Sequence, residues 1–197
     1  MPAENAEPTY KQTFTPPVDE LACAEATLTV LQNVIHPISR DDMTRQTPCA
    51  EFDIAGLTEH LMFSITTLGG AAGAEFPDND SDDAVDRQVI MAARPALDAW
   101  HRRGLDGSVS VGPGDFPASS AVAILSLEFL VHGWDYARAM DRELDVPDTL
   151  AGYVLDKAKG IITPAGRKAV GFDQPVEIGS SASAFEQLLA FTGRTPD

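Results

Sequence analysis

Basic residues are scarce in this chain: 14 Lys and Arg stand against 30 Asp and Glu in 197 residues, for a formal net charge of −16. Phosphate backbones are held by clustered cations, so this balance argues against a nucleic-acid partner. It equally disfavours docking on an anionic membrane surface. Cysteine is nearly absent. Cys23 and Cys49 are too few for a disulfide framework, and a reducing cytoplasm is the expected compartment. No uninterrupted run of about 18 apolar residues occurs, so no helical membrane span is expected. The opening MPAENAEPTYKQTFTPP lacks the basic and apolar regions of a signal peptide. Histidine is rare enough, at four, for each to be weighed singly.

What is present is one core's worth of apolar residues, 44% of the chain. The expected organisation is a loose polar arm over 1–17 and a single domain over 18–197. Val18, Leu21, Ala24, Leu28, Leu31 and Ile35 recur in steps of three and four, which predicts a first helix from about 18 to 38. Asp53 is placed to cap a second, whose stripe is Ile54, Leu57, Leu61, Ile65 and Leu68, with Gly69-Gly70 as a fraying end. A third helix, capped by Ser81, runs through Val85, Val89, Ala93, Leu97 and Trp100 and stops at His101-Arg102-Arg103-Gly104. Pro95 removes a backbone donor inside it and predicts a kink.

The Gly- and Pro-rich stretch 104–117 reads as a loop, with a short extended piece at 108–111. Ser119 or Ser120 opens a fourth helix to about Met140, and a fifth covers 148–162. An extended piece at 175–178 precedes a last short helix. That helix has a capping box, Ser183 with Glu186, and stops at Gly193. The expected fold is all-α: an antiparallel four-helix bundle with short additional C-terminal helices and little strand.

The fourth helix carries the chemistry. Residues 121–131, AVAILSLEFLV, hold one charge, Glu128. A carboxylate in so apolar a helix needs a partner. His132 lies one turn on, and at about 100° per residue Glu128, His132 and Asp135 share an arc of about 60°. Glu-x-x-x-His aims an oxygen and a nitrogen at one point, as two ligands of a divalent metal require. His60, on the flank of the second helix, is the candidate third ligand. Two His and one carboxylate leave a coordination position open, the pattern of catalytic zinc sites. The spacing equally allows a plain buried Glu128–His132 pair with His60 on its rim. His36, beside Pro37, and His101, in a basic helix end, read as solvated.

Three segments carry a family likeness. TPCAEFDIAGLTEHL (47–61), LEFLVHGWDYARAM (127–140) and PVEIGSSASAFEQLLAFTGRTP (175–196) resemble the DinB-like metal-binding superfamily. Within it, they are most similar to the N-terminal-domain family of mycothiol-dependent maleylpyruvate isomerase, in a stand-alone branch. The resemblance implies a four-helix core with a divalent metal, zinc foremost, on His60, Glu128 and His132. Nickel or iron would also suit such donors. It further implies a small thiol, mycothiol in actinobacteria, used in transfer or isomerisation on an electrophilic small molecule. A homodimer is compatible with it. The isomerase itself has a further C-terminal domain, which 197 residues are too short to hold.

Other residues admit two readings each. Asp135 is the candidate catalytic helper, as an acceptor for an imidazole or an orienting group for substrate; the simpler reading is a salt bridge to Arg138. Cys49 is a reactive thiol or, more simply, a small buried apolar group. Trp134 and Tyr136 line a pocket or fill the core. Asp115-Phe116 is a candidate lid. Two function classes stay open: a metal-dependent thiol enzyme, or a non-catalytic metal- or ligand-binding bundle. A cavity beside the trio with room for a thiol would favour the first.

Overall fold

The computed structural model describes residues 15–111, 114–167 and 171–196. The expected arm therefore lies outside the described residues up to position 14, as do Gly112 and Pro113. The described chain is mostly helical, with six α-helices and one two-stranded sheet. None of these helices is long and apolar enough to cross a membrane.

α1 (Glu20–Ile35) starts at Asp19, whose side chain accepts from the Ala22 amide at 2.8 Å. It is shorter at both ends than its stripe suggested. Asp53 caps α2 (Ile54–Ala71) in the same way, accepting from Gly56 N–H. α3 (Val85–Arg103) runs through Pro95. Its N-cap is Ala84 rather than Ser81. The Gln88 amide reaches back to the Ser81 and Asp83 carbonyls and ties the preceding turn instead.

The Gly- and Pro-rich stretch holds a hairpin. β1 (Ser108–Val111) and β2 (Gly114–Pro117) pair antiparallel, with Val109 opposite Phe116. α4 (Ala118–Ala139) follows directly, without a side-chain cap, so neither Ser119 nor Ser120 opens it. α5 (Asp148–Ile161) and α6 (Ala184–Phe191) complete the set, and Ser183 and Glu186 form the expected capping box. Residues 175–178 form no strand; Val176 N–H bonds the Ala190 carbonyl at 2.9 Å and lays this segment on α6.

α4 is apolar all round because it separates two cores. One face, with Ala121, Leu125, Phe129 and Tyr136, packs with α1, α2 and α3. Leu127, Leu130 and Val131 pack with α5 and α6. α1 contacts α4 and α3, and α2 contacts the same two helices. Glu128 and His132 therefore sit where no helix face is free to turn a charge to solvent.

Gly69 is no fraying end. It is buried inside α2, and a Cβ there would lie 2.6 Å from Ala96 Cβ and 3.0 Å from Ala96 Cα on α3. The missing side chain sets the α2–α3 spacing. Gly69→Ala should therefore destabilise by about 1–3 kcal/mol, although alanine is the better helix former by about 1 kcal/mol. Urea unfolding measures it; unchanged or raised stability would show that the helices part freely.

Candidate metal centre

α2 supplies His60, and one turn of α4 supplies Glu128 and His132. Glu128 Oε2 lies 3.2 Å from His60 Nε2 and 3.5 Å from His132 Nε2. One ligand atom from each of the three falls within 4.8 Å of the others. The imidazoles meet edge to face, centroids 5.0 Å apart. Glu128 and His132 are buried, whereas the His60 side chain is 35% exposed and opens the trio to one side.

The segment before α2 shapes that side. Thr47 binds the Phe52 carbonyl through both its amide and its hydroxyl, and Phe52 N–H bonds the Cys49 carbonyl. This closed turn lays the Phe52 ring on His60, centroids 5.3 Å apart. The TPCAEF stretch is thus the support of the His60 ring.

Glu128 Oε2 is buried and has no hydrogen-bond partner among the described residues, although two imidazole nitrogens face it. Buried carboxylate oxygens are almost always satisfied. An unbonded oxygen ringed by two nitrogens could serve as the donor set of a divalent cation, and the residues fit that group. Burial works against the Glu128 charge, yet His132 and His60 outweigh it and hold the carboxyl well below the usual carboxylate range. Burial likewise favours neutral His132, but Asp135 and Glu128 push its imidazole up to about 9.

Asp135 has no exposed surface. Its Oδ2 accepts from His132 Nδ1 at 2.9 Å and from Arg194 Nη2 at 2.8 Å, and its Oδ1 faces Arg194 Nε at 3.3 Å. Its partner is thus Arg194, not Arg138, whose guanidinium lies 5.9 Å from the Trp134 ring centroid. Asp135 reaches the trio through His132. Burial opposes its charge, and His132 and Arg194 hold its carboxyl below the usual range.

The other candidates separate. Tyr136 is core, its hydroxyl 2.9 Å from Thr58 Oγ1. Trp134 and half-buried Cys49 line a cleft of about 660 Å³ together with Glu51, Phe172, Asp173 and Arg194. Burial, then the Asp135 charge, pushes the Cys49 thiol up, away from the thiolate form. His36 and His101 are exposed, bound to Asp86 and Glu25 respectively. Asp115 and Phe116 are strand residues beside the first turn of α4, about 15 Å of helix rise before Glu128. The ring lying on the trio is Phe52, not this expected lid.

Arg194 is the site residue that sequence reasoning missed. Its only signal was the GRTP ending after α6.

No family model matches this sequence, and no solved structure matches it. The chain is similar to two uncharacterized proteins of Mycobacterium tuberculosis, Rv0738 of strain H37Rv and MT0763 of strain CDC 1551. Each is 25% identical over 162 residues, covering 80% of this chain and 88% of the relative.

Proposed function

We propose that this chain is a cytoplasmic, metal-dependent enzyme of the DinB-like type, related to the mycothiol-dependent maleylpyruvate isomerase N-terminal domain. His60, Glu128 and His132 hold one divalent cation, zinc before nickel or iron. The observation carrying this reading is the buried, unbonded Glu128 Oε2 between two imidazole nitrogens. The closed ring of contacts α1–α4–α2–α3 supports a four-helix bundle as the core.

A divalent cation held by His60, Glu128 and His132 would supply Lewis acidity, which would favour the nucleophilic thiolate form of a small thiol such as mycothiol at neutral pH. The chain's own residues do the rest. Asp135 fixes the His132 ring through Nδ1, leaving Nε2 turned to Glu128. Phe52 restrains His60 from the open side. The cleft running from Cys49 and Trp134 to Arg194 has room for a small molecule; it meets the Asp135–Arg194 pair, and none of its lining residues belongs to the trio.

Metal analysis of the purified protein, followed by a conjugation screen of mycothiol with electrophilic substrates, tests this. The expected results are one zinc per chain and thiol consumption that stops on chelation. Failure to bind any divalent metal would sink the proposal. One tightly held metal with no turnover would leave a non-catalytic metal-binding bundle.

A further inference from the structure

The Asp135–Arg194 pair joins the end of the described chain to the centre of the fold. Gly193 makes the connection possible. α6 ends in a turn where Gly193 N–H bonds the Ala190 carbonyl and Arg194 N–H bonds the Leu189 carbonyl, at 3.1 and 2.9 Å. This pairing needs a left-handed residue after the cap, and Gly193 has φ 87°. A Cβ there would also lie 2.6 Å from Asp173 Cβ. Arg167, itself buried, holds the same corner, its Nη1 donating to the Asp173 and Phe191 carbonyls. The turn is thus fixed on both sides, and it aims Arg194 inward.

The guanidinium meets Asp135 side-on, through Nε and Nη2, while Nη1 donates to the Thr192 carbonyl. The Arg194 side chain is only 10% exposed. A planar fork of this kind fixes a carboxylate in orientation, which a point charge does not. The oxygen it fixes most closely, Oδ2, is the one that accepts from His132 Nδ1.

We propose that Arg194 is a positioning residue of the metal centre, acting through Asp135 to hold the His132 ring with Nδ1–H bonded and Nε2 facing Glu128 and His60. The tail after α6 then belongs to the centre, and ligand geometry on α4 depends on a residue 62 positions after His132. The inference rests on the metal reading for its effect on affinity, but not for its effect on the ring. Partners of ligating histidines typically change metal affinity by about 10- to 100-fold.

Two measurements on the full chain test it: zinc affinity by chelator competition, and the His132 Nδ1–H resonance in metal-free, ¹⁵N-histidine-labelled protein. Wild type should show a slowly exchanging, hydrogen-bonded Nδ1–H. Arg194→Gln should lose that resonance and bind zinc about 100-fold more weakly; Arg194→Lys, keeping charge without the fork, about tenfold. Arg45→Gln, at an exposed pair, should change neither readout. A folded Arg194→Gln protein with the resonance intact and affinity within about twofold of wild type overturns the proposal. So does Arg194→Lys behaving as wild type, which decides the matter if the glutamine variant does not fold. Wild type that binds no zinc overturns the metal reading instead, and the resonance alone then decides the role of Arg194.

Discussion

His132→Ala should abolish stoichiometric zinc binding and also weaken the metal-free fold, by about 3–5 kcal/mol. The two effects have one origin. On the proposed metal reading His132 supplies a ligand nitrogen, and it is the buried neighbour of both Glu128 and Asp135. Removing the ring strands the Glu128 carboxylate, whose side chain is 10% exposed, with only half-open His60 facing it. An uncompensated buried charge is among the most destabilising single changes. Glu128→Gln separates the two effects. The amide keeps the shape, carries no charge and ligates zinc poorly, so metal is lost while metal-free stability falls far less than in His132→Ala. His36→Ala should change neither quantity, since that ring is exposed and bonds Asp86, away from the trio. Metal content after dialysis and urea unfolding of chelated protein report the results. One retained zinc in His132→Ala would remove this residue from the centre.

How far the site was legible depends on the range of each interaction. Glu128 and His132 are four residues apart on one helix, so helical geometry alone put them together, and the apolar run around them marked their burial. His60 was reachable because the α2 stripe placed it on a flank that can face another helix. Arg194 was not legible. It lies 59 residues from Asp135, and a lone ion pair across such a distance leaves no periodicity. The near candidate Arg138 was the natural choice by spacing, and it lies on the exposed side of α4 instead.

The fold divides in the same way. Apolar stripes marked the first three helices, because burial of one face against a core is what creates them. The hairpin was half visible. Ser108–Val111 has the alternation of a strand, but its partner holds Gly114 and Pro117, residues poor in strand propensity, so the second strand left no signal of its own. Gly69 gave a helix-end signal because glycine is common there. Its actual role depends on Ala96 of another helix, which no local rule can see.

Zinc affinity should climb about tenfold for each pH unit from near 7 to about 9, then level off. Asp135 and Glu128, working against burial, hold the metal-free His132 imidazole protonated up to about 9. A ligating nitrogen must be unprotonated, so binding at pH 7 displaces that proton. The metal-free fold runs the other way. His132 has a folded value near 9 above its ordinary 6.5, so its contribution is complete below about 6.5 and is lost as pH rises through 9. Glu128 is depressed below its ordinary 4.5, so its contribution is present above that value and is lost as pH falls toward the folded one. For this pair, stability without metal is greatest between about 4.5 and 6.5. Saturating zinc should move the optimum upward, because above pH 7 the ion replaces the proton as the partner of Glu128. Calorimetry in two buffers of different ionisation enthalpy counts the protons released, with at least one per zinc expected at pH 7. Release of none would mean that His132 is already neutral and that the carboxylates beside it do not hold its proton.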